Sequence, residues 1–503
     1  MKLDIKTYKD KVKACFLGKN IGGTLGAPFE GKRGAIDLDY YTHDLSQGVL
    51  PNDDLDLQLV WLSAAERHGV AVNAEILAEY WLSFIVADWS EYGAGKNNLR
   101  GGLPIGMSNR YKNHHSDSCG CFIRSEIWAC LAPGRPDIAV KYAYEDGVID
   151  HADDGLYGEI LCAAMQRAAF VEKDLRKLID IGMSYIPKDC GLTKAISTVV
   201  ECYEQGLSWK ECRKKILQVV PSGFGLHLGE YIGNPDPEIP EAGWGYDAPA
   251  NIAIAIMGII YSEGDFSKAV CISAGSCEDS DCSAGTAGAL MGIMGGTEII
   301  DEKWLLPIGD EIKTVSVDRT KADFFTGRLP FTVTELTNRI TKLMPAFMHK
   351  FFDPETGEIE CADNLYDPDY RRAFAYLRTN RERFELRNKV TRFENTNLEV
   401  VVELKGGYAI SEGISKSFEL HFENKLWHQQ WLEIEFDFPE DWEAYCRKTS
   451  MPLDENYSYS VFEKKTFSFV PHNLSMGRYD IPFVITSAGR YNKLYGKMVF
   501  FVE

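Results

Sequence analysis

Residues 276–288 read SCEDSDCSAGTAG. Glu278, Asp279 and Asp281 fall within four positions, and the chain then runs into Ala, Gly and Thr, as a tightly packed helix would. Acids are rarely buried unless they are paired or hold a metal. Two readings are open for this stretch. Asp279 caps the helix that starts here, or the carboxylates are ligands.

A second junction is built alike. Pro51-Asn52-Asp53-Asp54 precedes the apolar, helically spaced LDLQLVWL. One acid there is accounted for as a cap. Two adjacent acids plus Asp56 are not. Each junction offers closely spaced carboxylates with a neutral donor nearby, the hard oxygen set that Mg²⁺ favours. If the two face one another, they form a two-metal site. A third stretch, GKNIGGTLGAPFEG (18–31), supplies glycines for close helix packing and ends near Glu30. It lacks a P-loop lysine and a preceding strand, which excludes a phosphate-cradle or dinucleotide fingerprint.

Around these stretches the chain changes style near residue 385. Before it, apolar residues recur at helical spacing in 55–66, 73–86, 156–171, 191–204 and 266–274. This predicts a nearly all-helical domain over 1–345. Segments 88–120 and 221–247 are rich in Gly, Asn, Ser and Pro, and read as long connections, which often carry function. Residues 346–386 read as a bridging segment with a basic amphipathic helix over 368–383. After about 387, aromatic and β-branched runs alternate with period two, as in LEVVVELKG, SFELHFEN and WLEIEFDF. Six to eight such strands predict a β-sandwich domain over 387–503.

The balance of 54 basic and 74 acidic side chains, net −20, disfavours nucleic acid and anionic membrane as partners. No run reaches the length of a membrane span, and MKLDIKTYKDKVKACFLGKN lacks the apolar core of a signal peptide. The 13 cysteines are scattered through helical patterns, which points to reduced thiols in a cytoplasmic protein. Oligomeric state is left open. In Gly243-Trp244-Gly245-Tyr246-Asp247, Trp244 and Tyr246 read either as a platform for a sugar or base ring or as a packing corner.

Taken in order, five stretches resemble the ADP-ribosylglycohydrolase family (ADP-ribosyl hydrolase, dinitrogenase-reductase-activating glycohydrolase-like), over about residues 10–310. Gly22–Glu30 is similar to the family's G-D-A-x-G-x-P-x-E segment, and Asn52-Asp53-Asp54-Leu55 to its T-D-D-T. Ser118–Arg124 is loosely similar to G-N-G-x-x-M-R, and Asp150-His151 stands where the family has T-H. Cys277–Ala289 matches G-G-D-T-D-T-x-A-x-x-G-A. Five positions depart: Asn52, Leu55 and Cys282 replace threonines, and Cys277-Glu278 replaces Gly-Gly.

The resemblance implies an all-α domain centred on two Mg²⁺ ions, with Mn²⁺ or another divalent ion as the alternative. Asn52, Asp53 and Asp54 would ligate from one side, and Asp279, Asp281 and Cys282 from the other. A thiol is a poor Mg²⁺ ligand. Glu30, Asp53 and Asp279 would be catalytic, and Gly120, Cys121 and His151 would line the substrate cleft with Trp244 and Tyr246. The implied activity is metal-dependent hydrolysis at the anomeric carbon of an ADP-ribosyl or related ribose-like group. The alternatives are a glycoside or nucleoside hydrolase with another substrate, and a non-catalytic binding protein with a degenerate metal site. Retention of Asp53, Asp54, Asp279 and Asp281 argues against the last.

Overall fold

The computed structural model describes residues 1–502 except 104, 221–229, 234–235, 240–244, 367–389, 427 and 455–461. The chain divides into two compact units, Met1–Ala375 and Tyr376–Glu503. The first contains sixteen α-helices among its described residues.

At the centre of the first unit, the helix Ile5–Gly26 lies antiparallel against the helix Ser280–Gly295. Small residues four apart make their shared seam. A Cβ on Gly18 would stand 2.1 Å from the Gly288 carbonyl oxygen, and one on Gly22 would stand 2.2 Å from that of Ala284. Gly26 meets Ser280 and Asp281, and Gly292 meets Ala14. The two backbones touch with no side chain between them, so any Cβ at these positions forces the helices apart. The N-terminal helix is started by Asp4, whose carboxylate accepts from the Lys6 and Thr7 amides, a cap worth about 1 kcal/mol. Because the helices run antiparallel, the end of the first and the start of the second meet at one level, where the acids lie.

The helices expected near 55–66, 73–86, 156–171, 191–204 and 266–274 are Asp56–His68, Ala74–Phe84, Asp154–Ala169, Gly191–Glu204 and Phe266–Gly275. One helix departs from expectation. Ser90–Arg100 forms inside the stretch read as a long connection. Its glycines argue against a helix by propensity, but they allow close approach. A Cβ on Gly93 would meet the Asp88 carbonyl oxygen at 2.3 Å, and one on Gly95 would meet Asp150 at 3.0 Å.

Two small three-stranded sheets are added to the helical unit. In one, Lys2–Asp4 pairs with Glu358–Glu360, so the chain's start is held by residues beyond 345. In the other, Lys32–Arg33 pairs antiparallel with Cys277–Glu278 and parallel with Glu230–Tyr231. That pairing fastens the segment after Glu30 beside the segment before Asp279. The expected basic helix over 368–383 lies outside the described residues.

The second unit holds two five-stranded sheets. Lys416–Asn424 pairs with Leu398–Leu404 and Phe462–Val470 in one, and Arg478–Ser487 pairs with Gln430–Phe436 and Lys493–Val502 in the other. Val400, Phe418, Leu420 and Phe422 of the first sheet share one apolar core with Leu432, Ile434, Phe483 and Ile485 of the second. Two sheets closed over one core make a β-sandwich. Gln430–Phe436 alternates buried and exposed residues along its length, the period-two signature read from the sequence.

Candidate functional site

Asp279 occupies the N-cap position of the helix Ser280–Gly295, but its side chain makes no capping hydrogen bond. Its amide donates to Asn251 Oδ1 at 3.1 Å, and the same oxygen accepts from the Ser283 hydroxyl at 3.2 Å. The Asn251 side-chain amide donates to the Gly245 and Asp247 carbonyls. One asparagine thus ties the Tyr246 loop to the start of the acid-bearing helix. Ser280 donates to the Gly26 carbonyl at 2.9 Å and locks that end of the seam.

The second acid pair arrives from the turn before the helix Asp56–His68. Asp56 serves the fold, because its Oδ2 accepts from the Val315 and Ser316 amides at 2.9 and 2.5 Å and from the Ser316 hydroxyl at 2.8 Å. Asp54 is buried, with Oδ2 3.1 Å from Lys19 Nζ. Lys19 also pairs with Glu126 at 3.2 Å. Asp53 is half-buried and faces the cleft. Asn52 turns its side-chain oxygen to the Asp54 amide at 2.7 Å, and its amide nitrogen to Asp281 Oδ2 at 3.3 Å. The oxygen expected to be a ligand accepts from the turn, and the side-chain nitrogen acts as a donor to a carboxylate. Gly23 makes room for it, since a Cβ there would lie 2.4 Å from Asn52 Nδ2.

The two acid pairs meet. Glu30, Asp279 and Asp281 place ligand atoms within 4.8 Å of one another, and Asp54, Asp281 and Cys282 do the same. Asp281 belongs to both groups. Crowding of negative charge shows in the proton affinities. The carboxyl of Glu30, at the exposed rim, is pushed up to about 9, first by Asp281 and then by partial burial and Asp53. Burial, then Asp54, raises Asp281 to about 6. Burial, then neighbouring acidic groups, drives Asp53 and Asp279 well above the usual carboxylate range.

A divalent cation suits this donor set. Asp279 Oδ1 and Asp281 Oδ1 are buried with no hydrogen-bond partner among the described residues. Such groups are costly unless something fills the gap.

Glu278, next to Asp279, has the opposite surroundings. Arg33 meets it through Nε at 2.9 Å and Nη2 at 3.0 Å, and Arg213 Nη2 lies 2.8 Å from the same carboxylate. Two buried guanidinium groups hold it away from the acid cluster. The backbone here keeps a conformation suited to glycine: φ is +58° at Cys277 and +63° at Glu278. Left-handed backbone costs a non-glycine residue about 1–2 kcal/mol.

The acids open into a cleft of about 300 Å³. Glu30, Asp53, Asp279, Asp281 and Cys282 form one wall, and Trp89, Glu91, Tyr92, Ser118, Cys119 and Gly120 stand among the others, with Tyr246. Gly120 thus lies on the cleft, where a Cβ would stand 2.1 Å from Glu91 Oε1. Cys121 is fully buried and its thiol donates to Glu159 at 2.8 Å, away from the cleft. His151 is also fully buried, one layer behind: Nε2 is 3.0 Å from Ser118 Oγ, and Nδ1 is 2.9 Å from Asp150. Asp150 in turn pairs with the buried Arg124 at 2.7 Å. His151 orients a lining residue and is not itself on the wall. Trp244 lies outside the described residues.

Trp89, Glu91 and Asn251 were not singled out from sequence. Trp89 carried a usable signal, since it lies in the connection flagged as a place for function, and it is half exposed at the cleft. Asn251 had none, because it sits in an apolar helical run.

Carboxylates converging from two helix starts on one cleft of a helical domain define the class first: a helical protein with a candidate metal centre. The sequence then places it. The family model described as ADP-ribosylglycohydrolase matches residues 4–329, and the chain belongs to that family. No curated protein matches it. Among solved structures, an ADP-ribosylglycohydrolase-related protein complex aligns at 17% identity and a TM-score of 0.42, over 68% of this chain and 98% of that one. A FixG-related protein from Vibrio parahaemolyticus aligns at 11% identity and a TM-score of 0.18, over 21% of this chain and 97% of that one. Among the described residues no helix is long and apolar enough to cross a membrane.

Proposed function

We propose that the protein is a metal-dependent glycohydrolase that cleaves the bond at the anomeric carbon of a ribose-like group, with Mg²⁺ the first candidate ion. The observation that carries this reading is the pair of buried, partnerless oxygens on Asp279 and Asp281, which open into one cleft with Asp53 and Glu30. Glu30, Asp54, Asp279 and Asp281 would hold the ions, which supply orientation of vicinal hydroxyls and a more acidic bound water. Asp53 faces the substrate space, and its negative charge stabilises an oxocarbenium-like transition state. Glu30 stands at the rim of the same acid group, where, ionised beside a bound ion, it would take a proton from the attacking water. Trp89 and Tyr246 give flat walls against which an aromatic leaving group or sugar face can rest.

Two substrate classes fit the family, ADP-ribosyl groups and simpler ribosides. The lining favours the second. Its carboxylates are Glu30, Asp53, Glu91, Asp279 and Asp281, and no lysine or arginine lines it among the described residues. A neutral polyol with an aromatic aglycone suits such walls better than a diphosphate. The test is a panel of ADP-ribosylated and plain riboside substrates, assayed with and without Mg²⁺. Turnover that requires the metal and is lost in Asp53→Ala and Asp279→Ala is expected. Metal-independent turnover, or none on any riboside, refutes the reading.

A further inference from the structure

The acid cluster has two unlike halves that share Asp281. Glu30, Asp279 and Asp281 offer only oxygen, whereas Asp54, Asp281 and Cys282 offer two carboxylates and a sulfur. Cys282 Sγ lies 3.4 Å from Asp54 Oδ1, the oxygen of that carboxylate that Lys19 leaves free. A second sulfur stands alongside. Cys119, held by its amide's 2.9 Å bond to the Tyr246 carbonyl, lines the same cleft as Cys282 and Asp279. Both thiols are more than nine-tenths buried and both line the cleft. Asp281 Oδ1 is buried here without a partner.

We propose that the half formed by Asp54, Asp281 and Cys282, with Cys119 beside it, takes a thiophilic divalent ion of the zinc class, while the all-oxygen half takes a hard ion. The proposal rests on the metal-site reading above and adds that the two positions differ in kind. Mg²⁺ demands near-octahedral oxygen and gains little from sulfur. Zn²⁺ accepts thiolate and carboxylate together, and ions late in the first transition row outcompete Mg²⁺ at mixed sulfur–oxygen sites. Binding is an exchange: the Cys282 S–H bond breaks, its proton leaves to solvent, and a sulfur–metal bond forms. Lys19, shared between Asp54 and Glu126, offsets part of the charge of Asp54, and the dication balances the rest together with Asp281 and the thiolate.

The test uses the full-length protein, stripped with a chelator under reducing conditions and titrated with Co²⁺ as a spectroscopic probe and with Zn²⁺ and Mg²⁺ by calorimetry. The expected result is a near-ultraviolet thiolate-to-cobalt charge-transfer band, lost in Cys282→Ser and Cys282→Thr and kept in Cys119→Ser. Zn²⁺ affinity should fall in both Cys282 variants by at least the roughly 10–100-fold that even an outer-shell partner is worth, with Mg²⁺ affinity retained. Absence of the band, its survival in the Cys282 variants, or equal Zn²⁺ affinity in wild type and Cys282→Ser overturns the proposal. If Mg²⁺ still binds in those cases, the metal-site reading stands and only the thiol assignment falls. If no divalent ion binds the wild type at all, both fall.

Discussion

Two acid clusters with metal-ligating spacing occur among the described residues in this chain, and they are opposites. On the β-sandwich, Glu403, Glu419 and His421 bring ligand atoms as close together as the helical cluster does. There Lys405 Nζ sits 2.8 Å from Glu403 and 3.0 Å from Glu419, and hydrogen bonding to it holds both carboxyls below their ordinary range. In the helical unit the carboxyls of Glu30, Asp53, Asp279 and Asp281 are all raised. The sandwich cluster carries its own cation, and the helical cluster is short of one. Proximity of acids says little by itself; the sign of the proton-affinity shift and the presence of partnerless oxygens separate the two cases.

The contrast breaks most sharply at Asp281, which serves both halves of the helical cluster. Asp281→Asn should lower divalent-ion affinity by about 100-fold or more, read by calorimetry, with hydrolysis lost alongside. Wild-type affinity in that variant would remove the distinction. The next effect concerns Glu278, the acid in the same stretch that belongs to the fold. Glu278→Ala leaves Arg33 and Arg213 buried without their carboxylate, and should cost about 3–5 kcal/mol in urea unfolding. A loss below about 1 kcal/mol would mean that the arginines find other partners.

Smaller is the effect of Gly22→Ala. The new Cβ meets the Ala284 carbonyl at 2.2 Å and should destabilise by about 1–3 kcal/mol, with weakened metal binding as the seam parts. Smallest is Glu403→Gln on the sandwich, which should leave divalent-ion affinity within twofold, and stability within about 0.5 kcal/mol as for ordinary surface changes. A measurable loss of metal binding there would erase the comparison from the other side.

Much of this was legible in the residues. The glycines of 18–31 point to close helix packing, and the doubled acids at the two helix starts exceed what capping needs, while the backbone contact of Gly18, Gly22 and Gly26 with the helix Ser280–Gly295 is set by the fold. The helical and period-two halves were equally plain. What could not be read was set by residues distant in sequence. Neither Arg33 nor Arg213 signals that it meets Glu278, and no spacing rule puts Cys119 beside Cys282. Asn52 was expected to offer its oxygen, and its bond to the Asp54 amide in a local turn is of a kind familiar for short polar side chains. Cys121 and His151 stand in motif positions, yet helix packing turns both to the layer behind the cleft. Periodicity reports which face of an element is apolar and leaves open which partner that face meets.

The glycine seam also bears on how the molecule is made. Ser280 closes its bond to Gly26 across 254 residues of chain, so neither acid pair can face the other until the ribosome has released nearly all of the helical unit. Contacts of such separation form late. Through most of synthesis Asp53 and Asp54 wait without Asp279 and Asp281. On the proposed metal-site reading, the nascent chain would thereby be kept from capturing an ion in a half-built site.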